Sequence, residues 1–207
     1  TALMVDLMLS VHPRSTVVVP VNASSAIEDI ARRYDAKVIR TKANPTALME
    51  ACDRNANVSI GGSGSMGFIF PNLHPGFDAM FCIAKLIELL AQQKRTLAQI
   101  RDDCPHIHHV TISLRCPWQI KGAIMRHFVE SHTQDEVELI DGIKIFNRQH
   151  DSWVLILPDA STPTIHICGN SRDRNWVDET LREYRRRVKV FVAEAQGIQE
   201  FNIPEEG

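Results

Sequence analysis

The order of predicted strands and helices changes halfway along the chain, and this change constrains the fold more than any other feature of the sequence. In residues 1–105, apolar strand patterns alternate with helix patterns. In residues 106–207, one strand and one helix are followed by three strands and a closing helix. The first order predicts a mixed α/β layered domain, and the second predicts an α+β domain with an antiparallel sheet and flanking helices.

The first domain begins with an uninterrupted apolar run at residues 17–21, which is typical of a strand covered on both faces. Ser25 and Glu28 form a capping-box signature for the helix that follows. Helix 78–92 carries apolar residues at helical period, and we expect them to form a buried stripe. The predicted elements are strand 17–21, helix 25–34, strand 36–39, helix 47–54, strands 57–60 and 68–71, and helix 78–92, and the stripe comprises Phe77, Met80, Phe81, Ala84, Leu86, Ile87 and Leu90.

The second domain follows a break in the pattern at residues 102–105. Further breaks between strands are predicted at Asp141 and Gly142 and at residues 148–151. Trp118 and Trp153 have apolar neighbours, and we interpret both as core residues. The predicted elements are strand 109–114, helix 118–129, strands 136–140, 153–157 and 164–168, and helix 174–195.

Four of the ten glycines lie within residues 61–67, directly after strand 57–60. Three of them follow the G-x-G-x-x-G spacing of dinucleotide-binding folds, which requires a helix at the third glycine and an acid about 20 residues further on. Here Gly67 precedes the strand pattern 68–71, and Glu88 falls inside a helix, so we reject that interpretation. The glycines indicate a backbone that approaches a ligand closely or, alternatively, a tight turn without a ligand.

The composition is that of an ordinary globular chain, with 44% apolar residues, 23% charged residues and a net charge of -2. It lacks the basic surplus that nucleic acid or an anionic membrane favours, so we expect neither as a partner and predict a small molecule or a protein surface instead.

Five widely spaced cysteines predict free thiols in the cytoplasm. No apolar run approaches the length of a membrane span, and a chain that starts at Thr1 without a signal pattern is interpreted as a piece of a longer protein.

One cluster of residues has the chemistry of metal ligands: Cys104, His106, His108 and His109. A zinc site is one interpretation, but the spacing is tight and no second ligand pair follows. We favour a solvated loop and predict no metal site. No Ser-His-Asp order or pair of carboxylates has a supporting context, so we also predict no catalytic residue.

Two groups of segments resemble a known family. Residues 62–65, with 68–71 and 76–80, resemble the sugar-recognition loop and following helix in the third domain of α-D-phosphohexomutases, the phosphoglucomutase and phosphomannomutase family. Residues 141–145 and 153–163 resemble, in order and spacing, the fourth domain of that family with its phosphate-binding loop. The resemblance implies that the chain holds the last two of four domains.

The resemblance also implies the binding residues and the ligand, a hexose phosphate. Ser63 and Ser65 correspond to positions that contact sugar hydroxyls in the family, although Glu is usual at the first of them. Ser161, Thr162 and His166 correspond to positions near the phosphate.

The phosphate loop departs from the family pattern at several positions. Leu157, Asp159 and His166 stand where the family usually has Arg, Ser and Arg, and Thr162 stands where it has Glu. An arginine–phosphate hydrogen bond contributes about 1.5 to 3 kcal/mol, whereas a carboxylate repels the dianion. We therefore expect hexose phosphate binding to be weak or lost.

The first two family domains, with their phosphorylated serine and magnesium-binding loop, lie outside this sequence. Phosphoryl transfer depends on metal and cations, so we predict that this chain alone is inactive, with magnesium and the N-terminal domains belonging to a longer parent protein. Residues 71–81, 116–118 and 157–159 also resemble the phosphomannomutase-like C-terminal region fused to bacterial sugar-1-phosphate nucleotidyltransferases. Two interpretations stay open: the substrate-gripping half of a mutase, and a degenerate non-catalytic module fused to a nucleotidyltransferase.

Overall fold

The computed structural model describes residues 1–148 and 151–197 and separates the chain into two units, Thr1–His106 and Ile107–Gly207. In the described residues, one five-stranded sheet lies in each unit. The first sheet is mixed and the second is antiparallel. The predicted fold class, an α/β domain followed by an α+β domain, is therefore confirmed.

The first sheet has the strand order β2-β1-β3-β4-β5, in which β1 pairs in parallel with β2 and β3. Its strands and helices are α1 (Ala2–Val11), β1 (Thr16–Pro20), α2 (Ala26–Arg33), β2 (Lys37–Thr41), α3 (Pro45–Arg54), β3 (Val58–Ser63), β4 (Gly67–Phe70), β5 (His74–Phe77), α4 (Ala79–Gln93) and α5 (Leu97–Asp103). The sequence patterns predicted all of these except α1, β5 and α5.

Strand β1 has apolar neighbours on both faces, as its uninterrupted apolar sequence predicts. Val17 and Val19 pack in one buried cluster, to which α1, α2, α4 and α5 contribute. Val18 packs in the other cluster with Leu48 and Cys52 of α3. Successive side chains of a strand point to opposite faces of its sheet. The sheet that contains β1 therefore lies between the two buried clusters.

Two local predictions in this unit are wrong. Ser25 precedes α2 but makes no capping hydrogen bond with its side chain, and Glu28 instead forms an ion pair with Arg40 of β2 at 2.8 Å. The predicted stripe of α4 is also only partly buried, because Met80 is 85% exposed and Ile87 is exposed as well. Phe81, Leu86 and Leu90 pack against the core beside the buried Leu89. Helix α4 is apolar on most of its circumference, so periodicity alone does not select the buried face.

The second sheet has the strand order β6-β10-β9-β8-β7. Its unit comprises β6 (His108–Arg115), α6 (Trp118–Ser131), β7 (Val137–Glu138), β8 (Ile143–Asn147), β9 (Ser152–Pro158), β10 (Thr164–Ser171) and α7 (Arg174–Ala195). Helix α7 has the predicted bounds. The predicted strand 136–140 shortens to two residues, and β8 was not predicted.

Both helices of the second unit pack on one face of its sheet. Phe128 of α6 and Val177 of α7 share a buried cluster with Ile156 of β9 and Ile167 of β10. The strand register pairs His166 of β10 with Ser113 of β6 and with Leu157 of β9. Residues paired in this way lie on the same face of a sheet, and here it is the face opposite to the helices.

The two tryptophans that the sequence predicts to be core residues differ in burial. Trp153 is buried as predicted, but Trp118, which was interpreted as core, is 50% exposed. Within residues 1–148 and 151–197, no helix combines the length and apolar character that crossing a membrane demands.

Limited proteolysis is expected to cut first in the segment at residues 102–109 and to release two folded pieces of comparable size. Between α5 and β6 this segment contains only a short stretch without regular structure, and chain segments that join separately packed units are preferred cleavage sites. Mass spectrometry of the fragments and circular dichroism of each purified piece provide the measurement. A single protected core without cleavage in this segment would contradict the domain boundary.

Candidate functional site

The predicted sugar-binding serines lie at a hairpin between β3 and β4. The strands pair Ser63 with Gly67, so residues 64–66 form the turn. Ser63 is buried and Ser65 is exposed, and their hydroxyl oxygens lie 3.1 Å apart. The hairpin thus brings an exposed serine and a buried serine into hydrogen-bond contact at its turn.

The shape of the hairpin depends on Gly62. Its φ angle is +115°, in the region that side-chain-bearing residues rarely adopt. A Cβ atom at this position would lie 2.1 Å from the backbone oxygen of Gly67 on the paired strand. Gly67 itself begins β4 and not a helix, which agrees with the rejection of a dinucleotide-binding loop.

The predicted phosphate-binding residues surround Asp159 in the loop between β9 and β10. One carboxylate oxygen of Asp159, Oδ1, accepts hydrogen bonds from the amides of Ser161 and Thr162, both at 2.7 Å, and from the Ser161 hydroxyl at 2.8 Å. The other oxygen, Oδ2, lies 3.1 Å from Nε2 of His166. Thus Ser161, Thr162 and His166 do converge, and the group on which they converge is a carboxylate of the same chain.

The contacts of His166 assign its ring nitrogens. An ionised carboxylate only accepts hydrogen bonds, so Nε2 carries the proton that it shares with Asp159. The His166 imidazole, and then the amide and hydroxyl of Ser161, hold the pKa of the Asp159 carboxyl well below its usual range. The carboxylate is therefore charged at neutral pH, and hydrogen bonds from the loop and from His166 stabilise it.

A serine completes a hydrogen-bonded Ser-His-Asp chain that the sequence analysis missed. Nδ1 of His166 lies 2.9 Å from the hydroxyl of Ser113 on the neighbouring strand β6. In hydrolase triads the serine contacts Nε2 and the carboxylate contacts Nδ1, so the ring is used here in the reverse sense. Asp159 is in addition bound to two loop amides, and we therefore interpret the chain as support for the loop.

The structure adds Lys121 of α6 to the candidate site. This residue is 8% exposed, and its ammonium group donates to the backbone oxygens of Asp159, at 2.6 Å, and Thr162. The same ammonium group lies 3.8 Å from the centre of the Trp118 ring, a cation–π distance. The exposed Trp118 thus covers a buried lysine that fixes the loop from the helix side.

The residues considered for zinc are divided between a connector and a strand. His108 and His109 belong to β6, whereas Cys104 and His106 precede it. Burial raises the pKa of the Cys104 thiol, which disfavours the thiolate that a metal needs. Across residues 1–148 and 151–197, no group of three or more histidine, cysteine, aspartate or glutamate side chains is arranged to hold a metal ion.

Proteins that bind polar or anionic small molecules often present hydroxyl groups and converging hydrogen-bond donors on loops. This chain has serine hydroxyls at one hairpin and donors that converge on a carboxylate in a second loop. The family model described as phosphoglucomutase/phosphomannomutase, alpha/beta/alpha domain III, matches residues 1–107. Because this match covers more than half of the chain, the chain belongs to the phosphoglucomutase/phosphomannomutase family. The resemblance stated from the sequence is therefore confirmed.

Similar proteins extend the match beyond the first unit. The probable phosphoglucosamine mutase of Methanopyrus kandleri is 28% identical over 180 residues, which are 84% of this chain and 39% of that protein. The crystal structure of a phosphoglucomutase/phosphomannomutase family protein from Burkholderia thailandensis has a TM-score of 0.71 at 17% identity and covers 92% of this chain and 41% of that chain.

A more distant structure shares the same fold. The N-acetylphosphoglucosamine mutase of Aspergillus fumigatus, solved in complex with GlcNAc-6P and magnesium, has a TM-score of 0.64 at 8% identity and covers 92% of this chain and 43% of that chain. This chain spans about two fifths of the length of the relatives it matches.

Proposed function

We propose that the chain is the C-terminal, sugar-phosphate-recognising half of a phosphoglucomutase/phosphomannomutase-type protein. The observation that carries this proposal is the presence of two polar loops, each at the end of central strands and in the order that the family resemblance implies. In the first unit, Ser65 binds a sugar hydroxyl and Ser63 orients it. In the second unit, Ser161, Thr162 and His166 lie at the phosphate position.

The remaining parts of the reaction are assigned to a longer parent protein. The relatives are more than twice as long as this chain, and one of them was solved with magnesium. The described residues offer no metal cluster, so magnesium and the phosphoryl-transferring groups would come from the N-terminal domains of the parent. The cytoplasm is the proposed compartment, because all five cysteines are free. The relatives named above are mutases and give no support to a nucleotidyltransferase parent.

A titration with hexose 1-phosphates tests the sugar loop. We expect millimolar glucose 1-phosphate or glucosamine 1-phosphate to shift the backbone amide NMR signals of residues 63–66. Ser65→Ala should weaken this binding about fivefold, since one hydrogen bond contributes about 1 kcal/mol. Thr133→Ala, at an exposed position of the second unit, is the matched control and should change nothing.

Two outcomes would contradict the proposal. The first is an absence of shifts in the hairpin at saturating ligand, or shifts that Ser65→Ala leaves unchanged. The second is mutase turnover by the isolated chain, given magnesium and a hexose bisphosphate activator, or a failure of the longer protein that contains it to interconvert hexose phosphates under the same conditions.

A further inference from the structure

The donors of the phosphate loop are already engaged by an anion of the chain itself. Two amides and one hydroxyl approach a single oxygen of Asp159 within 2.8 Å, and an imidazole N–H approaches the other oxygen. Converging backbone amides supplemented by a hydroxyl and a cationic or imidazole donor are the arrangement that proteins use to bind a phosphate oxygen. The Asp159 carboxylate thus occupies the position that an external anion would need.

We propose that Asp159 is a specificity-determining residue, whose carboxylate fills the anion pocket formed by Ser161, Thr162 and His166 and so excludes phosphate. This inference rests on the proposed function, because it concerns the loop assigned there to phosphate. It goes further in naming the occupant of the loop and the single group that has to leave before a phosphate can enter.

The surroundings of the loop indicate that the pocket would persist without the carboxylate. Lys121 binds the carbonyl oxygens of Asp159 and Thr162 from the helix side, and both contacts are to the backbone. The amide of Asp159 donates to the Thr164 oxygen at 3.0 Å, and the amide of Cys116 donates to the Pro163 oxygen at 2.8 Å. None of these backbone contacts uses the Asp159 side chain, so they remain after its truncation, which removes only the support that the carboxylate gives through Ser161, Thr162 and His166.

The charges near the pocket favour an anion once the carboxylate is removed. In the native loop, the negative charge of Asp159 opposes the positive charge of Lys121. After Asp159→Ser, the ammonium group remains, and the amides of Ser161 and Thr162 lose their charged acceptor. Both amides lie in an exposed loop, where a phosphate oxygen competes with water for them and gains charge-assisted hydrogen bonds that the native carboxylate prevents.

Inorganic phosphate is the probe, because it contains no sugar and therefore tests the loop independently of the hairpin. Wild-type chain, Asp159→Ser and Asp159→Asn are titrated with phosphate at constant ionic strength, and the amide signals of Ser161 and Thr162 are followed by NMR. We expect no saturable shift in the wild type. In Asp159→Ser we expect saturable binding with an affinity at least tenfold above the upper limit that the titration sets for the wild type. Asp159→Asn keeps an acceptor for the amides but loses the charge, so its affinity should lie between the two.

Saturable binding of phosphate to the Ser161 and Thr162 amides in the wild type would overturn the proposal. It would also fall if both variants keep a native NMR spectrum and bind phosphate no more tightly than the wild type. If Asp159→Ser fails to fold, Asp159→Asn decides, with at least threefold tighter binding supporting the proposal and no gain refuting it. A negative result in the hairpin titration refutes the sugar loop alone and leaves this test intact.

Discussion

Replacing Gly62 with alanine is expected to lower the free energy of unfolding of the first unit by at least about 2 kcal/mol. Two effects act together. Alanine is strained at a φ angle of +115°, and its Cβ would lie 2.1 Å from the Gly67 oxygen. The obstructing atom belongs to the backbone of the paired strand, so relief requires β3 and β4 to separate at their turn end. Urea denaturation followed by circular dichroism measures the loss.

Gly64→Ala is the matched control, because it makes the same chemical change two residues away. Gly64 is exposed in the turn, and the nearest atoms to an added Cβ are those of Thr1 at 3.6 Å, an ordinary contact distance. We expect the free energy of unfolding to change by no more than about 0.5 kcal/mol. Equal losses for both variants would show that the hairpin geometry does not depend on Gly62.

The Gly62 variant also tests the sugar loop. Separation of the strands would displace Ser63 from Ser65, whose hydroxyl oxygens lie 3.1 Å apart in the native hairpin. Binding of glucose 1-phosphate to the hairpin should therefore weaken in Gly62→Ala more than in Gly64→Ala. Both affinities are measured on the folded fraction of each variant. Their ratio therefore reports a distorted hairpin and not the unfolding of the first unit.

Helices with one polar face could be predicted well from the sequence, and strongly apolar helices could not. Helix α7 (Arg174–Ala195) was predicted with its bounds because charged residues alternate with a narrow apolar stripe, and the structure adds that the Asp173 side chain caps its start. Helix α4 was predicted in position, but the exposure of Met80 and Ile87 was not, since most of its surface is apolar. Helix α1 has the same character and gave no periodic signal.

The sequence predicts some residues of the candidate site, whose binding role stays a prediction, but it does not predict their hydrogen bonds. Family resemblance identified Ser161, Thr162 and His166, yet the convergence of these residues on Asp159 depends on the path of the loop backbone. The hydrogen bond from Lys121 to the Asp159 oxygen spans 38 residues of sequence. A lysine one helical turn after a tryptophan is the only local signal, and it is too common to indicate a binding loop.

The largest gain in affinity is expected when Leu157→Arg is combined with Asp159→Ser, which returns two family residues to the phosphate loop. Leu157 lies directly opposite His166 in the strand register, so its side chain emerges on the same face as the imidazole. A guanidinium group there can form charge-assisted hydrogen bonds with a phosphate, each contributing about 1.5 to 3 kcal/mol. We therefore expect glucose 1-phosphate to bind at least about tenfold more tightly than to Asp159→Ser alone, as measured by isothermal titration calorimetry.

A neutral side chain of similar polarity provides the control for this change. Leu157→Gln with Asp159→Ser introduces a polar group without the charge, and it should give no gain over Asp159→Ser. Leu157 is buried, so both double variants should lose stability, by about 1 to 3 kcal/mol, and the affinities are compared on folded protein. If the arginine variant is folded and binds no more tightly than the glutamine variant, then the loop differs from the family in backbone shape as well as in chemistry. A gain specific to arginine would mean that the native backbone still has the family form and that the missing guanidinium at Leu157 weakens phosphate binding in addition to the carboxylate of Asp159.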